Sequence, residues 1–136
     1  MGTEHEEAVR AFFQESEGPK LDAAQVERLV ARMAPDARYH VFAWEDPIVG
    51  RDAIYDEFLR QASSTSNGRV ELLAMASVGG TVFVERRDFV TIEDKDVAVH
   101  VTGVFEVDDD GKIASWRDYF DSREVATKVG RPPSRR

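Results

Sequence analysis

The chain contains no cysteine. Disulfides, thiolate nucleophiles and cysteine-ligated zinc are therefore excluded. Its three histidines stand at positions 5, 40 and 100 without metal-ligand spacing, so we expect no metal site. Long hydrophobic runs are also missing, and the amino terminus has neither the basic nor the apolar region of a secretory signal. We therefore expect a cytoplasmic protein with no membrane partner.

Positive charge is in deficit. The chain carries 18 lysines and arginines against 26 acidic residues, a formal net charge of −8. This balance opposes nonspecific attraction to phosphate backbones or anionic membranes, so we expect no nucleic-acid partner. What is present is typical of a globular protein, and 136 residues suffice for one core and a small cavity. We predict one domain over residues 1–130 and a flexible tail over 131–136, which contains two prolines and three arginines.

Helical periodicity dominates the first half of the chain, and strand patterns dominate the second half. We predict helices over 3–15, 21–33, 51–62 and 122–129, and strands over 38–42, 70–76, 81–92, 97–107 and 113–121. Prolines and turn residues at 35–36, 43–49 and 63–68 are interpreted as helix ends and loops. Helices followed by an antiparallel meander predict an α+β fold, in which a strongly curved sheet can wrap around the helices and leave a cavity. Gly103, in mid-strand, marks a bend or a close backbone approach.

The stretch 82–90 places charged residues on a strand. Alternate side chains share a face, so Arg86 and Asp88 point one way while Arg87 points the other. On the strand at 113–121, Trp116 and Asp118 share a face, as does Phe120. If the two faces line one cavity, an arginine lies between two carboxylates and can support acid and base chemistry together.

An alternative is that these charges form ordinary cross-strand ion pairs at the surface. The apolar neighbours Phe83, Val84, Trp116 and Phe120 count against a purely solvated face. Pattern alone leaves both interpretations open.

Short stretches in a distinctive order carry a resemblance over about residues 21–125. They are Tyr39 with 50–53 (Gly-Arg-Asp-Ala), 84–88 (Val-Glu-Arg-Arg-Asp), 103–105 (Gly-Val-Phe), 111–113 (Gly-Lys-Ile) and 116–121 (Trp-Arg-Asp-Tyr-Phe-Asp). Together they resemble the limonene epoxide hydrolase family. Its wider superfamily, nuclear transport factor 2-like or SnoaL-like, has a cone-shaped fold with N-terminal helices in the concave face of the sheet. That fold also serves isomerases, cyclases and noncatalytic proteins, so it does not settle the reaction.

The resemblance implies a cofactor-free, one-step hydrolysis of a small hydrophobic epoxide by water to a vicinal diol. It assigns Asp118 as general base on the water, Asp88 as general acid on the epoxide oxygen, and Arg86 as the bridge between them. Tyr39 matches the tyrosine that helps to hold the water. We expect a homodimer with packed sheets. The substrate would contact a further set of side chains, namely Trp116, Val41, Val99, Val101 and Phe120.

Two departures from the family pattern bear on the site. Val41 stands where the family has an asparagine that helps to fix the water, and valine cannot bind it. The loop before Gly50 is one residue longer, so a register shift would let His40 serve instead. Gln61 and Thr65 occupy positions that line the pocket with apolar groups in the family. A pocket-facing Gln61 favours a smaller or more polar epoxide than a terpene, whereas a solvent-facing Gln61 would leave the pocket unchanged.

Two other functions stay open. One is a proton-transfer isomerase or cyclase of the same fold, against which an arginine between the acids counts. The other is a noncatalytic small-molecule-binding domain that keeps the charged groups as a structural ion pair, which Val41 favours. A buried ion pair without a function is not clearly stabilising.

Overall fold

Four helices and six strands make up the part of the chain that the computed structural model describes, residues 2–130. The predicted tail at 131–136 lies outside the described residues. In chain order the elements are α1 (Gly2–Ser16), α2 (Ala23–Ala31), β1 (Met33–His40), β2 (Ile48–Val49), α3 (Arg51–Ala62), β3 (Thr65–Val78), β4 (Thr81–Ile92), β5 (Lys95–Val107), β6 (Ile113–Tyr119) and α4 (Ser122–Val129). The predicted α+β class is confirmed.

One mainly antiparallel sheet contains all six strands, in the order β2-β1-β6-β5-β4-β3. The strands β3 to β6 form the predicted meander, and β1 joins its end parallel to β6. The β3–β4 turn uses Gly79 at φ 58°, and the β4–β5 turn uses Glu93 and Asp94 at φ 49° and 65°. In the β4–β5 turn, positive φ at both central residues matches the twist of a two-residue hairpin.

The helices cover one face of this sheet. Helix α1 lies against β3, β4 and β5, while α2 and α3 pack on each other and on β1. Phe12 and Phe13 of α1 meet Trp116 of β6 edge-on, with ring centroids 5.2 and 6.0 Å apart. Register shifts in β3 and β5 are the kind of irregularity that bends a sheet around such a core. None of the helices in residues 2–130 is long and apolar enough to span a membrane.

The boundary between the second helix and the first strand was predicted wrongly. Helix α2 ends at Ala31 rather than Met33, and Pro35 lies inside β1 instead of closing the helix. Met33 pairs with Ile113, and the Arg32 carbonyl accepts a hydrogen bond of 3.0 Å from the Ile113 amide. That partner is eighty positions away, so local periodicity does not reveal it. Pro35 is tolerated because it falls where the β1–β6 register shifts.

The polar segment at 63–68 forms the predicted turn only at residues 63 and 64. Strand β3 starts at Thr65 and its register shifts between Ser66 and Arg69, where Asn67 has φ 56°. Turn-forming residues here make a bulge within a strand. The loop predicted over 43–49 likewise contains the short strand β2, which pairs with β1.

Candidate active site

Arg86 lies between two carboxylates. On β4, its Nε and Nη2 donate to Asp88 Oδ1 and Oδ2 at 2.9 and 3.2 Å. Its Nη1 and Nη2 also donate to Asp118 Oδ1 and Oδ2 on β6, at 2.9 and 2.7 Å. One guanidinium therefore binds both acids through four hydrogen bonds, and its planar fork fixes their positions.

Gly103 makes this contact across β5 possible. The register places Gly103 opposite both Asp118 and Val84, so β5 separates the two charged strands. A Cβ at this position would lie 2.7 Å from Arg86 Nη1 and 2.8 Å from Asp118 Oδ1. Any larger residue would occupy the space in which the ion pair forms. The close backbone approach predicted at Gly103 is therefore present.

The surroundings of the three groups differ. The Arg86 side chain is 2% exposed, whereas those of Asp118 and Asp88 are 12% and 31% exposed. The Phe13 ring covers the guanidinium at 4.7 Å. Trp116 Nε1 donates to Asp118 Oδ1 at 2.7 Å, so that oxygen accepts two hydrogen bonds and Oδ2 accepts one. Oδ2 of Asp118 therefore keeps capacity to accept a proton from a molecule in the cavity.

Burial raises the pKa of Asp88 above its ordinary value, against the attraction of Arg86 and with the help of the nearby Asp118 charge. Burial acts to lower the pKa of Arg86, but Asp118 and then Asp88 outweigh it, and the pKa lies above the usual arginine value. Arg86 is therefore a permanent cation in this site. Asp88 holds a proton more readily than an ordinary aspartate does.

A cavity of about 440 Å³ opens beside Arg86, Asp88 and Asp118. Its wall includes Phe12 and Phe13 of α1. It also brings together every site residue predicted from the sequence: Tyr39, Val41, Arg86, Asp88, Val99, Val101, Trp116, Asp118 and Phe120. The alternative of a solvated surface pair is wrong, because apolar side chains and helix α1 close over Arg86.

Tyr39 stands in the cavity wall and is 5% exposed. Its Oη accepts a hydrogen bond from Gln61 Nε2 at 3.2 Å. Burial raises the pKa of the phenol, and the negative charge of Asp118 raises it further, so Tyr39 keeps its hydrogen. The tyrosine is thus a neutral donor next to a carboxylate.

His40 does not replace the missing asparagine. Its Nδ1 lies 2.9 Å from the Glu45 carbonyl oxygen, and the residue is absent from the cavity wall, whereas Tyr39 and Val41 both line it. Strand alternation puts His40 on the other face, and the longer loop does not change that register. The suggestion that His40 holds the water is therefore wrong.

Sequence reasoning considered Gln61 and Thr65 for the cavity wall but missed Glu57, the residue of α3 that holds Gln61. Gln61 and Thr65 face the cavity, which decides between the two orientations considered for Gln61. Glu57 was not predicted at all: its Oε2 accepts a hydrogen bond of 2.9 Å from Gln61 Nε2, and its Oε1 accepts one of 2.9 Å from Arg60 Nε. The spacing of Glu57, Arg60 and Gln61 at i, i+3 and i+4 was the available signal.

The family model described as the limonene-1,2-epoxide hydrolase catalytic domain matches residues 3–131. Epoxide hydrolase EphG of Mycobacterium tuberculosis is 33% identical over 90 residues, which cover 56% of this chain and 60% of EphG. This curated relative is therefore matched over less than two thirds of its length. The solved structure of a limonene-epoxide-hydrolase-like epoxide hydrolase from M. tuberculosis is 29% identical with a TM-score of 0.73, over 94% of this chain and 97% of that one.

Two further solved structures share the fold. A hypothetical protein with a ketosteroid isomerase-like fold from Catenulispora acidiphila, in complex with trimethylamine, has a TM-score of 0.79 at 22% identity, over 93% of this chain and 94% of that one. SalBIII, an epoxide hydrolase/cyclase-like enzyme of pyran ring formation in salinomycin, has a TM-score of 0.75 at 18% identity, over 90% and 94%. At these identities the likeness shows the cone-shaped fold alone.

Proposed function

We propose that this chain, which belongs to the limonene-1,2-epoxide hydrolase family, hydrates an epoxide to a vicinal diol by paired acid and base catalysis. The observation that carries the proposal is Arg86 bound to Asp88 and Asp118 at the wall of one cavity. The raised pKa of Asp88 supports a protonated acid at that position. Two carboxyls with different surroundings can then serve as acid and base at one pH.

Proton transfers at Asp118 and Asp88 account for every proton in the reaction. Asp118 Oδ2 takes a proton from water while the water oxygen bonds to an epoxide carbon. The strained C–O bond breaks, and Asp88 gives its proton to the departing oxygen, which becomes the second hydroxyl. Afterwards Asp118 is protonated and Asp88 is charged, so one proton must pass between them before the next turnover. Arg86 faces one carboxylate and one carboxylic acid before and after, which keeps the net charge of this buried site constant.

The cavity supports a compact substrate. A volume of about 440 Å³ suits a small molecule, and its apolar wall favours a hydrophobic epoxide. Val41, Val99, Val101, Trp116 and Phe120 would contact the carbon skeleton. Gln61 and Thr65 add polar groups to the wall, which favours a smaller or more polar epoxide over a bulky terpene.

The direct test is an assay of diol formation from limonene oxide, cyclohexene oxide and styrene oxide with the parent protein and Asp118→Asn. Diol that forms with the parent and is lost in the variant supports the proposal. Equal traces with both proteins would mean background hydrolysis and would contradict it for those substrates.

One observation favours a second candidate, a noncatalytic small-molecule-binding domain. Val41 leaves the wall without the amide with which the family fixes its water. Under this alternative, small apolar epoxides and diols raise the melting temperature of the protein while no diol accumulates. Turnover of any epoxide that depends on Asp118 rules it out.

A homodimer is also proposed, through the sheet face opposite the helices. Phe83 and Tyr119 are 43% and 49% exposed there. Large aromatic side chains on a sheet face are common at protein interfaces. Light scattering after size exclusion should give twice the chain mass for the parent and a smaller mass for Phe83→Glu. A parent that stays at 15.3 kDa would refute the dimer.

A further inference from the structure

Gln61 links the catalytic cavity to a charged cluster on α3. Its Nε2 donates to Glu57 Oε2 at 2.9 Å and to Tyr39 Oη at 3.2 Å. Arg60 holds Glu57 through Nε at 2.9 Å and through Nη2. Hydrogen bonds therefore run from a cation at the surface to the tyrosine in the cavity wall.

The partners of Gln61 determine which way its amide points. The hydrogen bond from Arg60, against the effect of burial and with the help of Gln61, lowers the pKa of Glu57, so this group is an ionised acceptor. An ionised carboxylate cannot donate, so the Gln61 atom that faces Glu57 must be the NH₂ group. The second hydrogen of the same group then points to Tyr39 Oη. Gln61 is held as a donor towards the phenol.

A phenol oxygen that accepts this bond must place its own hydrogen elsewhere. Within the described part of the chain, no side chain or carbonyl accepts a hydrogen bond from Tyr39 Oη, and the residue lines the cavity beside Asp118. A donor left unsatisfied inside a protein costs free energy. The Tyr39 hydrogen is therefore available to a molecule in the cavity.

We propose that Gln61, clamped by Glu57, is a positioning residue that turns the Tyr39 hydroxyl towards the nucleophilic water and so compensates for Val41. The water then accepts a hydrogen bond from Tyr39 and donates one to Asp118 Oδ2, the oxygen with spare accepting capacity. In this chain one oriented donor does the work that the family divides between a tyrosine and an asparagine. The inference rests on the proposed function.

The first test is a double-mutant cycle between Gln61 and Val41 in the full chain. Gln61→Met keeps the length of the side chain but removes the donor to Tyr39. We expect kcat to fall about tenfold with little change in KM, because one hydrogen bond that orients the water is lost. Adding Val41→Asn should recover most of that loss, yet change the parent by less than about twofold.

Equal effects of Val41→Asn in both backgrounds would overturn the proposal, since independent sites add. A fall in kcat that Val41→Asn does not recover would do the same, provided that the melting temperatures show folded proteins. A merely structural role for Gln61 predicts no such rescue.

Neighbouring carboxylates on α3 supply a matched pair. Glu57→Gln weakens the clamp on Gln61, whereas Asp56→Asn makes the same charge change on an exposed residue of the same helix. We expect kcat to fall about threefold in the first variant and to stay unchanged in the second. Equal kcat values for Glu57→Gln and Asp56→Asn would show that the hydrogen bond from Gln61 to Glu57 does not contribute to catalysis.

A readout without turnover separates this inference from the proposed function. Crystal structures of the parent at high resolution should contain a water within hydrogen-bond distance of Tyr39 Oη and Asp118 Oδ2. That water should be lost in Gln61→Met and regained with Val41→Asn. If no epoxide is hydrated but the water behaves in this way, the proposed function fails and the positioning role stands. Diol formation without a water between these two oxygens would overturn the positioning role alone.

Discussion

The two faces of strand β4 carry the same kinds of side chain in very different surroundings. On the inner face Arg86 is 2% exposed and binds two carboxylates. On the outer face its neighbour Arg87 is 43% exposed and binds Glu71 at 2.9 Å, and that glutamate is 44% exposed. Exposed pairs are screened by water and contribute little, whereas a buried charge must keep its partners. We therefore expect the ion pairs of Arg86 to matter much more for stability than the ion pair of Arg87.

The inner cluster also shows what makes a buried ion pair possible. Desolvating three ionisable groups is costly, and a replacement by apolar residues often stabilises a protein. Here Trp116, Phe13 and the space above Gly103 are arranged around the charges. Such an arrangement in a cavity wall supports the proposed role of the cluster in catalysis.

The largest contrast between the faces is expected in catalysis. Asp118→Asn removes the base while it keeps the size of the side chain, so diol formation should fall by at least about a hundredfold, as expected for a lost proton transfer. Glu85→Gln is the matched change on the outer face, where the carboxylate lies 2.8 Å from His100. Its kcat should equal that of the parent. A similar loss of kcat in both variants would contradict a specific catalytic role for the inner face.

Stability should separate the two arginines next. Arg86→Ala leaves Asp88 and Asp118 close together without their cation, and breaking a buried ion pair costs roughly 3–5 kcal/mol of unfolding free energy. Arg87→Ala breaks an exposed pair worth about 0–1 kcal/mol. Urea unfolding of both variants measures the difference. If Arg86→Ala is as stable as Arg87→Ala, the cluster is solvated and the comparison fails.

Adjacent positions on β5 give a smaller contrast. Gly103→Ala inserts a Cβ within 3 Å of Arg86 Nη1 and Asp118 Oδ1, and such overpacking costs about 1–3 kcal/mol. Thr102→Ala changes an exposed residue on the opposite face and should shift stability by less than about 0.5 kcal/mol. Thermal melting of the two variants measures both losses of stability. An unchanged Gly103→Ala protein would mean that the ion pair can move aside.

The smallest expected effect is a pH dependence of stability that belongs to the inner face. The folded protein raises the pKa of Asp88 above that of the unfolded chain, chiefly through burial. Its proton is bound more tightly in the folded state, so this contribution is complete below the unfolded pKa and is lost as the pH rises through the folded pKa. Because Asn resembles the protonated aspartate, the melting temperatures of the parent and of Asp88→Asn should lie close together at low pH, and the parent should fall below the variant as the pH rises through the folded pKa. Parallel curves for the two proteins would contradict the raised pKa.

Local patterns were sufficient for much of the site. The alternation along β4 predicted that Arg86 and Asp88 share a face, and the same rule placed Trp116, Asp118 and Phe120 together on the β6 side. The glycine in mid-strand predicted a close approach to the backbone, and the side chains of Arg86 and Asp118 lie in the space that a Cβ at Gly103 would need. Each of these inferences depends on a period of two along one strand, which neighbouring residues largely determine.

Other features depended on partners far away in the chain. Pro35 reads as a helix end, but the pairing of Met33 with Ile113 makes the segment a strand. His40 was a candidate to hold the water in place of Val41 until the contact of His40 with the Glu45 carbonyl settled its direction. The link from Glu57 through Gln61 to Tyr39 joins α3 to β1 and is invisible in either segment alone.

Residue identity and spacing therefore determined the fold class, the charged face of β4 and the chemistry available to a chain without cysteine. Only the packing of α1 and α3 on the sheet decided that this face is buried, that the pKa of Asp88 is raised, and that the Gln61 amide meets Tyr39. The reason is physical: side-chain direction along a strand is a local property. Burial, pKa and hydrogen-bond partners are set by groups that the folded chain brings together from distant positions.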